Sequence, residues 1–126
     1  MSNHTSPIRL FLALETLAFL TAASVHLGLS LHGYEHRQAG TAESVIGGVL
    51  LFGLALTAIR PASTRAVGLG AQAFALFGTL VGIFTIAVGI GPRTALDLTF
   101  HIGIVIVLVF GLIAAVRGPW SVQTKR

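Results

Sequence analysis

Four long apolar runs, separated by short connections, dominate this chain of 126 residues. They cover residues 8–31, 42–59, 66–90 and 94–116. A membrane-spanning helix needs about 20 mostly apolar residues, and these runs meet or approach that length. The sequence therefore predicts an all-α integral membrane protein with a single transmembrane domain over residues 1–126.

The small number of charged residues excludes a water-soluble domain. Charged residues make up 10% of the chain, whereas a soluble domain carries roughly 25%. The eight Lys and Arg are spread over the connections without forming a patch, so we expect no nucleic-acid partner. The chain contains no cysteine, which excludes disulfides, thiolate metal ligands and thiol redox chemistry. The partner that this composition predicts is the lipid bilayer.

The connections predict how the helices follow one another. Gly33 and Gly40 bracket the first connection, residues 60–65 form the second, and residues 91–93 form the third. Connections this short place consecutive helices antiparallel to each other. We therefore expect an up-down-up-down four-helix bundle.

Lys and Arg near the helix ends predict the orientation, because cytoplasmic loops are enriched in them. In an up-down bundle one side carries only Arg37 and Arg93. The other side carries six such residues: Arg9, Arg60, Arg65, Arg117, Lys125 and Arg126. This asymmetry predicts that both termini are cytoplasmic.

Several polar residues fall in the outer half of the predicted bundle. His26 lies near the outer end of the first helix, and His101 lies in the outer half of the fourth. With a rise of about 1.5 Å per residue, His26 is roughly 7 Å and His101 roughly 10 Å from those helix ends. Two histidines at matched depth on neighbouring helices could ligate a b-type haem. They could equally share a transition metal ion such as Zn, Cu or Fe.

Two carboxylates extend this predicted site. Asp97 lies four residues before His101, so the two share one face of the fourth helix. Glu43 lies at the outer start of the second helix. Either carboxylate could orient a ligating imidazole by a hydrogen bond, or bind the metal itself. His32 and His36, in the first connection, are further candidate metal ligands, ranked behind these four.

Glu15 is an acid deep in the first apolar run, and such a residue is a functional hypothesis by default. It precedes His26 by eleven residues, about three helical turns, so the two share a face. Ala18 and Ala22 lie between them, either as the wall of a pocket or as plain helix-packing positions. Gln72 is the candidate hydrogen-bond partner of Glu15. The pattern predicts that Glu15 handles protons or lines a quinone pocket.

Plainer interpretations stay open. An intramembrane histidine can serve only as an interhelical hydrogen-bonding group. His32, Glu35 and His36 can form a solvated loop. Glu43 can be a first-turn acid that complements the helix dipole.

One part of the chain resembles a known family. The first helix has Arg9 near its start and His26-Leu-Gly near its outer end, and Tyr34 follows. The second helix then opens with Ala-Glu-Ser-Val-Ile-Gly-Gly-Val-Leu-Leu at residues 42–51. This pattern, over about residues 9–53, resembles the DoxX-like group of small bacterial four-helix membrane proteins. The resemblance implies a multi-pass protein of the bacterial inner (cytoplasmic) membrane, associated in some members with quinone-linked oxidoreductases.

The leading hypothesis is a small membrane redox protein or oxidoreductase subunit. His26 and His101 would bind haem b or a transition metal, while Glu15 and Asp97 would act as catalytic groups, with a quinone as a further ligand. The first alternative is a pocket for a lipid or other small apolar molecule, with isomerase-like acid–base chemistry. The second is a structural accessory subunit. In each case we expect a homo-oligomer or a larger membrane complex, and the sequence leaves open whether the chain is an enzyme.

Overall fold

The computed structural model describes residues 6–118, which form four long α-helices and no strand. The helices are α1 (Ser6–His26), α2 (Arg37–Ile59), α3 (Thr64–Ala87) and α4 (Ala95–Arg117), and a 3-10 turn (Pro61–Ser63) precedes α3. All four are long and apolar enough to cross a membrane. The prediction of an all-α chain with four candidate membrane-spanning helices is confirmed.

The first helix ends earlier than its apolar run predicts, because a glycine stops it. α1 ends at His26 and not at residue 31. Gly28 adopts the left-handed conformation, with φ of 74°. The N–H of Leu29 then donates to the carbonyl of Ser24 at 2.8 Å, which closes a Schellman helix end. Gly89, with φ of 85°, ends α3 in the same way, three residues before its predicted end.

The second helix begins five residues before its predicted start. α2 starts at Arg37, and His36 caps it, since His36 Nδ1 accepts a hydrogen bond from Ala39 N–H at 3.2 Å. The N–H of His36 also donates to the carbonyl of His26 at 2.8 Å, which ties the start of α2 to the end of α1. Gly40 therefore lies inside α2, and its prediction as the end of a connection is wrong.

A small apolar core joins the four helices. In this core the large side chains come from α1, α2 and α4, whereas α3 contributes alanines. The buried residues of the core are Ile8, Leu12, Phe19, Ile46, Leu50, Ala71, Ala75, Ile104, Leu108 and Ala115. Small residues let the helices approach closely, as expected for helices in lipid. A Cβ on Gly78, for example, would lie 2.8 Å from Ile46 Cδ1. Many large apolar side chains on the outside are exposed, and these form the surface that suits a bilayer.

Arginines bind backbone carbonyls at one end of the bundle, which we call the Arg9 end. Arg9 donates to the carbonyl of Thr57 at 2.6 Å, so the start of α1 contacts the end of α2. Arg65 donates to the carbonyl of Ala115 at 3.2 Å, so the start of α3 contacts the end of α4. The other end, where α1 ends and α2 and α4 begin, is the His26 end.

Candidate functional site: a buried Glu-His-Asp triad and two adjoining cavities

The His26 end contains three buried ionisable side chains, Glu43, His26 and Asp97, which we call the triad. His26 Nδ1 lies 2.7 Å from Glu43 Oε2, and His26 Nε2 lies 2.8 Å from Asp97 Oδ1. The side chains of His26, Glu43 and Asp97 are 5%, 7% and 5% exposed. One imidazole on α1 therefore bridges carboxylates from α2 and α4.

A capping box at the start of α4 holds Asp97 in place. Thr94 is the N-cap residue, and its hydroxyl accepts a hydrogen bond from the backbone N–H of Asp97. In return, Asp97 Oδ2 accepts hydrogen bonds from the Thr94 hydroxyl at 2.5 Å and from the Thr94 backbone N–H at 3.0 Å. Because Oδ2 is used for the cap, Oδ1 is left to face His26.

Glu43 reaches His26 from the second turn of α2. No acidic residue lies in the first turn of that helix, so the interpretation of Glu43 as a first-turn acid is wrong. Gly40 permits the close approach of α2 to the end of α1, since a Cβ there would lie 3.3 Å from His26 Cβ. The early start of α2 thus places Glu43 beside the imidazole.

To form both of its hydrogen bonds, the triad needs one proton more than a neutral imidazole and two ionised carboxylates carry. Each of its two short N···O contacts needs a hydrogen, and a neutral imidazole has only one N–H. The second hydrogen belongs either to an imidazolium or to a protonated carboxyl group. Both arrangements have the same total charge, which is minus one. The proton can therefore pass between nitrogen and oxygen within the triad without a change in the positions of the three side chains.

An open apolar groove of about 350 Å³ borders the triad between α1 and α4. Its polar lining residues are His26, Asp97 and Thr21, and Ala18 and Ala22 line it further along α1. The predicted face with small alanines below His26 thus borders a groove. Glu15 is not among the residues that line it.

A second, more enclosed cavity of about 160 Å³ lies on the other side of the triad. Glu43 and His101 are polar parts of its wall, and Gly78 and Gly82 of α3 give it room. Phe100 lines both the cavity and the groove and so separates them. The triad therefore faces the groove through Asp97 and the cavity through Glu43.

Two polar atoms of residues that line the cavity, Glu43 Oε1 and His101 Nε2, have no hydrogen-bond partner between residues 6 and 118. His101 Nδ1 lies 2.7 Å from the carbonyl oxygen of Asp97. A carbonyl only accepts, so Nδ1 carries the hydrogen and Nε2 of the neutral ring is an acceptor. The cavity therefore offers a carboxylate oxygen and an imidazole nitrogen to a hydrogen-bond donor.

Glu15 and Gln72 lie away from the triad, nearer the Arg9 end. Both are fully buried, and both side chains reach Gly111 of α4. The structure places Glu15 near Gln72 but without the predicted hydrogen bond between them, and it places both apart from His26.

The polar side chains in the connection between α1 and α2 contact the connection itself and nearby backbone groups. The His32 side chain is 92% exposed and lies 3.5 Å from Glu35 Oε1. Hydrogen bonds from its own backbone N–H and from that of Gly33 lower the pKa of Glu35 below its ordinary value. His36 accepts from α2 through Nδ1 and contacts the carbonyl of Ile90 through Nε2 at 3.3 Å. Both of its ring nitrogens are therefore engaged.

The hydrogen bonds of His26 affect its predicted role as a haem or metal ligand. Both ring nitrogens of His26 contact carboxylates, so ligation by His26 would require the loss of one of these hydrogen bonds. As they stand, the residues do not fit bis-histidine ligation by His26 and His101. Between residues 6 and 118, no three His, Asp or Glu side chains are arranged to hold a metal ion. Metal or haem binding stays a prediction.

Comparisons with known proteins add no assignment, because no protein-family model, no curated protein and no solved structure matches the chain.

Proposed function

We propose that the chain is a small multi-pass protein of a bacterial inner membrane that binds a small apolar molecule bearing a hydroxyl group. The ligand would occupy the cavity at the His26 end, and the triad would exchange a proton with it. A quinol ring is one such molecule, so the proposal keeps the predicted link to quinone chemistry. The observation that carries it is the bridging of Glu43 and Asp97 by His26 directly beside the cavity.

The proposed topology is an up-down-up-down bundle with both termini cytoplasmic. Supporting it, the start of α1 contacts the end of α2, and the start of α3 contacts the end of α4. Among the described residues, four arginines belong to the Arg9 end by this order: Arg9, Arg60, Arg65 and Arg117. Lys125 and Arg126, which the orientation prediction also used, lie outside the described residues. The triad would then lie in the outer leaflet.

The chemistry of the cavity selects the class of ligand. Glu43 Oε1 and His101 Nε2 are acceptors, so they favour a ligand that donates hydrogen bonds. An engineered apolar cavity of about 150 Å³ in another protein takes up benzene, and the cavity here has a similar volume of about 160 Å³. A single ring with a hydroxyl group is therefore the appropriate size and polarity.

The triad can act on this ligand as an acid–base group. A ligand hydroxyl that donates to Glu43 Oε1 would be connected through the same carboxylate to His26, and through His26 to Asp97. Transfer of the hydroxyl proton to Glu43 would leave the ligand oxygen as an anion and make the triad neutral, so the total charge at the site would stay at minus one. Glu43, His26 and Asp97 would share the proton, and His26 would also position the two carboxylates. Such proton transfer by a positioned side chain is what general acid–base catalysis requires.

A direct binding experiment tests the proposal. Anaerobic titration of the detergent-purified protein would compare a short-chain benzoquinol with its di-O-methyl ether, which has the same ring but donates no hydrogen bond. We expect the quinol to bind at least about tenfold more tightly, which corresponds to about 1.4 kcal/mol. Glu43→Gln and His101→Phe should remove most of this difference, whereas His32→Ala, in the exposed connection, should not change it. Equal affinities for quinol and ether would contradict the proposal.

A metal-dependent redox role is the second candidate, and it rests on one observation. Glu43 Oε1 and His101 Nε2, both atoms of types that bind transition metals, border the same cavity. Elemental analysis and an absorption spectrum of the purified protein test this role. Stoichiometric Cu or Fe, lost in His101→Phe but retained in His32→Ala, would support it.

A further inference from the structure

Glu15 and Gln72 form a second polar group that the triad does not use. Glu15 lies on α1, roughly 14 Å from its start, and Gln72 lies on α3. Both residues are 0% exposed. Gly111 of α4 provides the space between them, since a Cβ there would lie 2.6 Å from Glu15 Oε1 and still closer to Gln72 Oε1. Three helices therefore enclose two polar side chains that approach the same point.

The hydrogen bonds at this point are incomplete. Glu15 Oε1, Glu15 Oε2 and Gln72 Oε1 are buried and have no hydrogen-bond partner among residues 6–118. The amide orientation of Gln72 is fixed, because its Nε2 donates to the carbonyl of Gly68 at 3.0 Å and a carbonyl can only accept. The amide oxygen, and not the amide nitrogen, therefore faces Glu15. Three acceptors are left without a donor.

No described cation compensates a charge on Glu15. From α2, α3 and α4, no charged side chain between residues 6 and 118 acts on its carboxyl group. The arginines at this end, Arg9 and Arg65, direct guanidinium nitrogens to the backbone carbonyls of Thr57 and Ala115. A carboxylate left ionised in such surroundings is costly, whether the cost is counted as an unpaired charge or as unsatisfied acceptors.

We infer that Glu15 and Gln72 form a proton-binding site. A proton taken up from the aqueous phase converts the Glu15 carboxylate into a neutral carboxyl group, whose O–H donates to Gln72 Oε1. This single proton removes the charge and supplies the missing donor. The site shares no residue with the triad, so it does not depend on the proposed ligand. Because Glu15 and His26 are eleven residues apart, roughly 16 Å along α1, that helix would carry one proton site in each half.

Infrared spectroscopy of the full-length protein in bilayers tests this site. The chain has four acidic residues, of which Glu15, Glu35 and Glu43 are glutamates. Carbon-13 labelling of glutamate therefore separates their carboxyl bands from that of Asp97. We expect a glutamate C=O band of a protonated carboxyl group at neutral pH, which disappears in Glu15→Gln.

Gln72→Leu should retain this band but move it to the higher frequency of a carboxyl group that donates no hydrogen bond. Glu35→Gln is the matched control, because Glu35 is exposed and its loss should leave the band unchanged. If Glu15→Gln fails to fold, the band and its Gln72→Leu shift still test the site in variants that retain Glu15. The absence of a protonated glutamate band in the wild type would overturn the inference. Loss of the band on adding sodium, with a gain in thermal stability, would overturn it in favour of a metal-cation site.

Discussion

Replacement of His26 by alanine should destabilise the protein more than any other single change at the triad. His26 is the shared partner of two carboxylates, and His26→Ala would leave both without it. Hydrogen bonds between membrane helices contribute about 0.6 kcal/mol on average and up to about 1.7. Removal of one partner of a buried ion pair costs roughly 3–5 kcal/mol, because the other charge stays buried.

These two magnitudes bracket the expected loss. Asp97 would keep its hydrogen bonds to Thr94, so its share of the loss should be the smaller one. Glu43 would have no remaining hydrogen bond to residues 6–118 and should account for most of it. We therefore expect His26→Ala to lower the free energy of unfolding by roughly 2–4 kcal/mol.

Equilibrium unfolding in mixed detergent micelles measures this loss. His32→Ala is the matched control, because the His32 side chain is 92% exposed and such changes usually stay within about 0.5 kcal/mol. The double variant His26→Ala with Glu43→Gln should lose less than the sum of the single losses, because each single change removes the same contact. A loss below about 0.5 kcal/mol for His26→Ala would refute the reasoning, as would strict additivity in the double variant.

Three further predictions concern single positions. Gly28→Ala should lower stability by about 1–2 kcal/mol in thermal unfolding, because a Cβ is unfavourable at φ of 74°. Gly48→Ala is the control, because Gly48 lies in open space on α2, and this change should not lower stability. Gly111→Ala should lower stability by about 1–3 kcal/mol in the same assay, because the new Cβ would overlap Glu15 and Gln72. Gly103→Ala is the control, because Gly103 also lies on α4 but has open space around it. Equal losses of stability in the two variants would contradict the packing at Gly111. The pKa of Glu35, measured by carbon-13 NMR, should lie below its ordinary value, because backbone N–H groups donate to its carboxylate. Since the pKa is lowered on folding, the stabilising contribution of Glu35 should be present above the unfolded-state pKa and be lost as the pH falls through the folded-state pKa. A titration midpoint above the ordinary value would contradict this.

The helical fold was predictable because it depends on properties that the sequence displays directly. The four apolar runs meet or approach the length that spans a membrane, and each overlaps most of one of the four helices. The ends were less predictable, since the apolar run continues through Leu27, Leu29 and Leu31 although Gly28 has already ended α1. The hydrophobicity of a segment does not show whether one of its residues has a left-handed backbone conformation. The start of α2 was missed because histidine is not among the usual N-cap residues.

The candidate site was predictable in its membership but not in its pairing. The order of the helices already placed His26, Glu43, Asp97 and His101 at one end. Which of them contact each other depends on helix rotation, which the sequence does not display. A local signal was available for Asp97, since Thr94-Ala-Leu-Asp97 has the spacing of a capping box. That signal places one carboxyl oxygen at the cap and leaves the other to face the bundle.

Nitrogen-15 NMR of histidine-labelled protein in bilayers tests the central claim most directly, because the two ring nitrogens of His26 contact different carboxylates. We expect Glu43→Gln to shift mainly the Nδ1 signal of His26, and Asp97→Asn to shift mainly the Nε2 signal. The His32 signals should stay unchanged in both variants. His26 signals that respond to neither variant, or that show coordination to a metal or haem iron, would contradict the shared-proton triad.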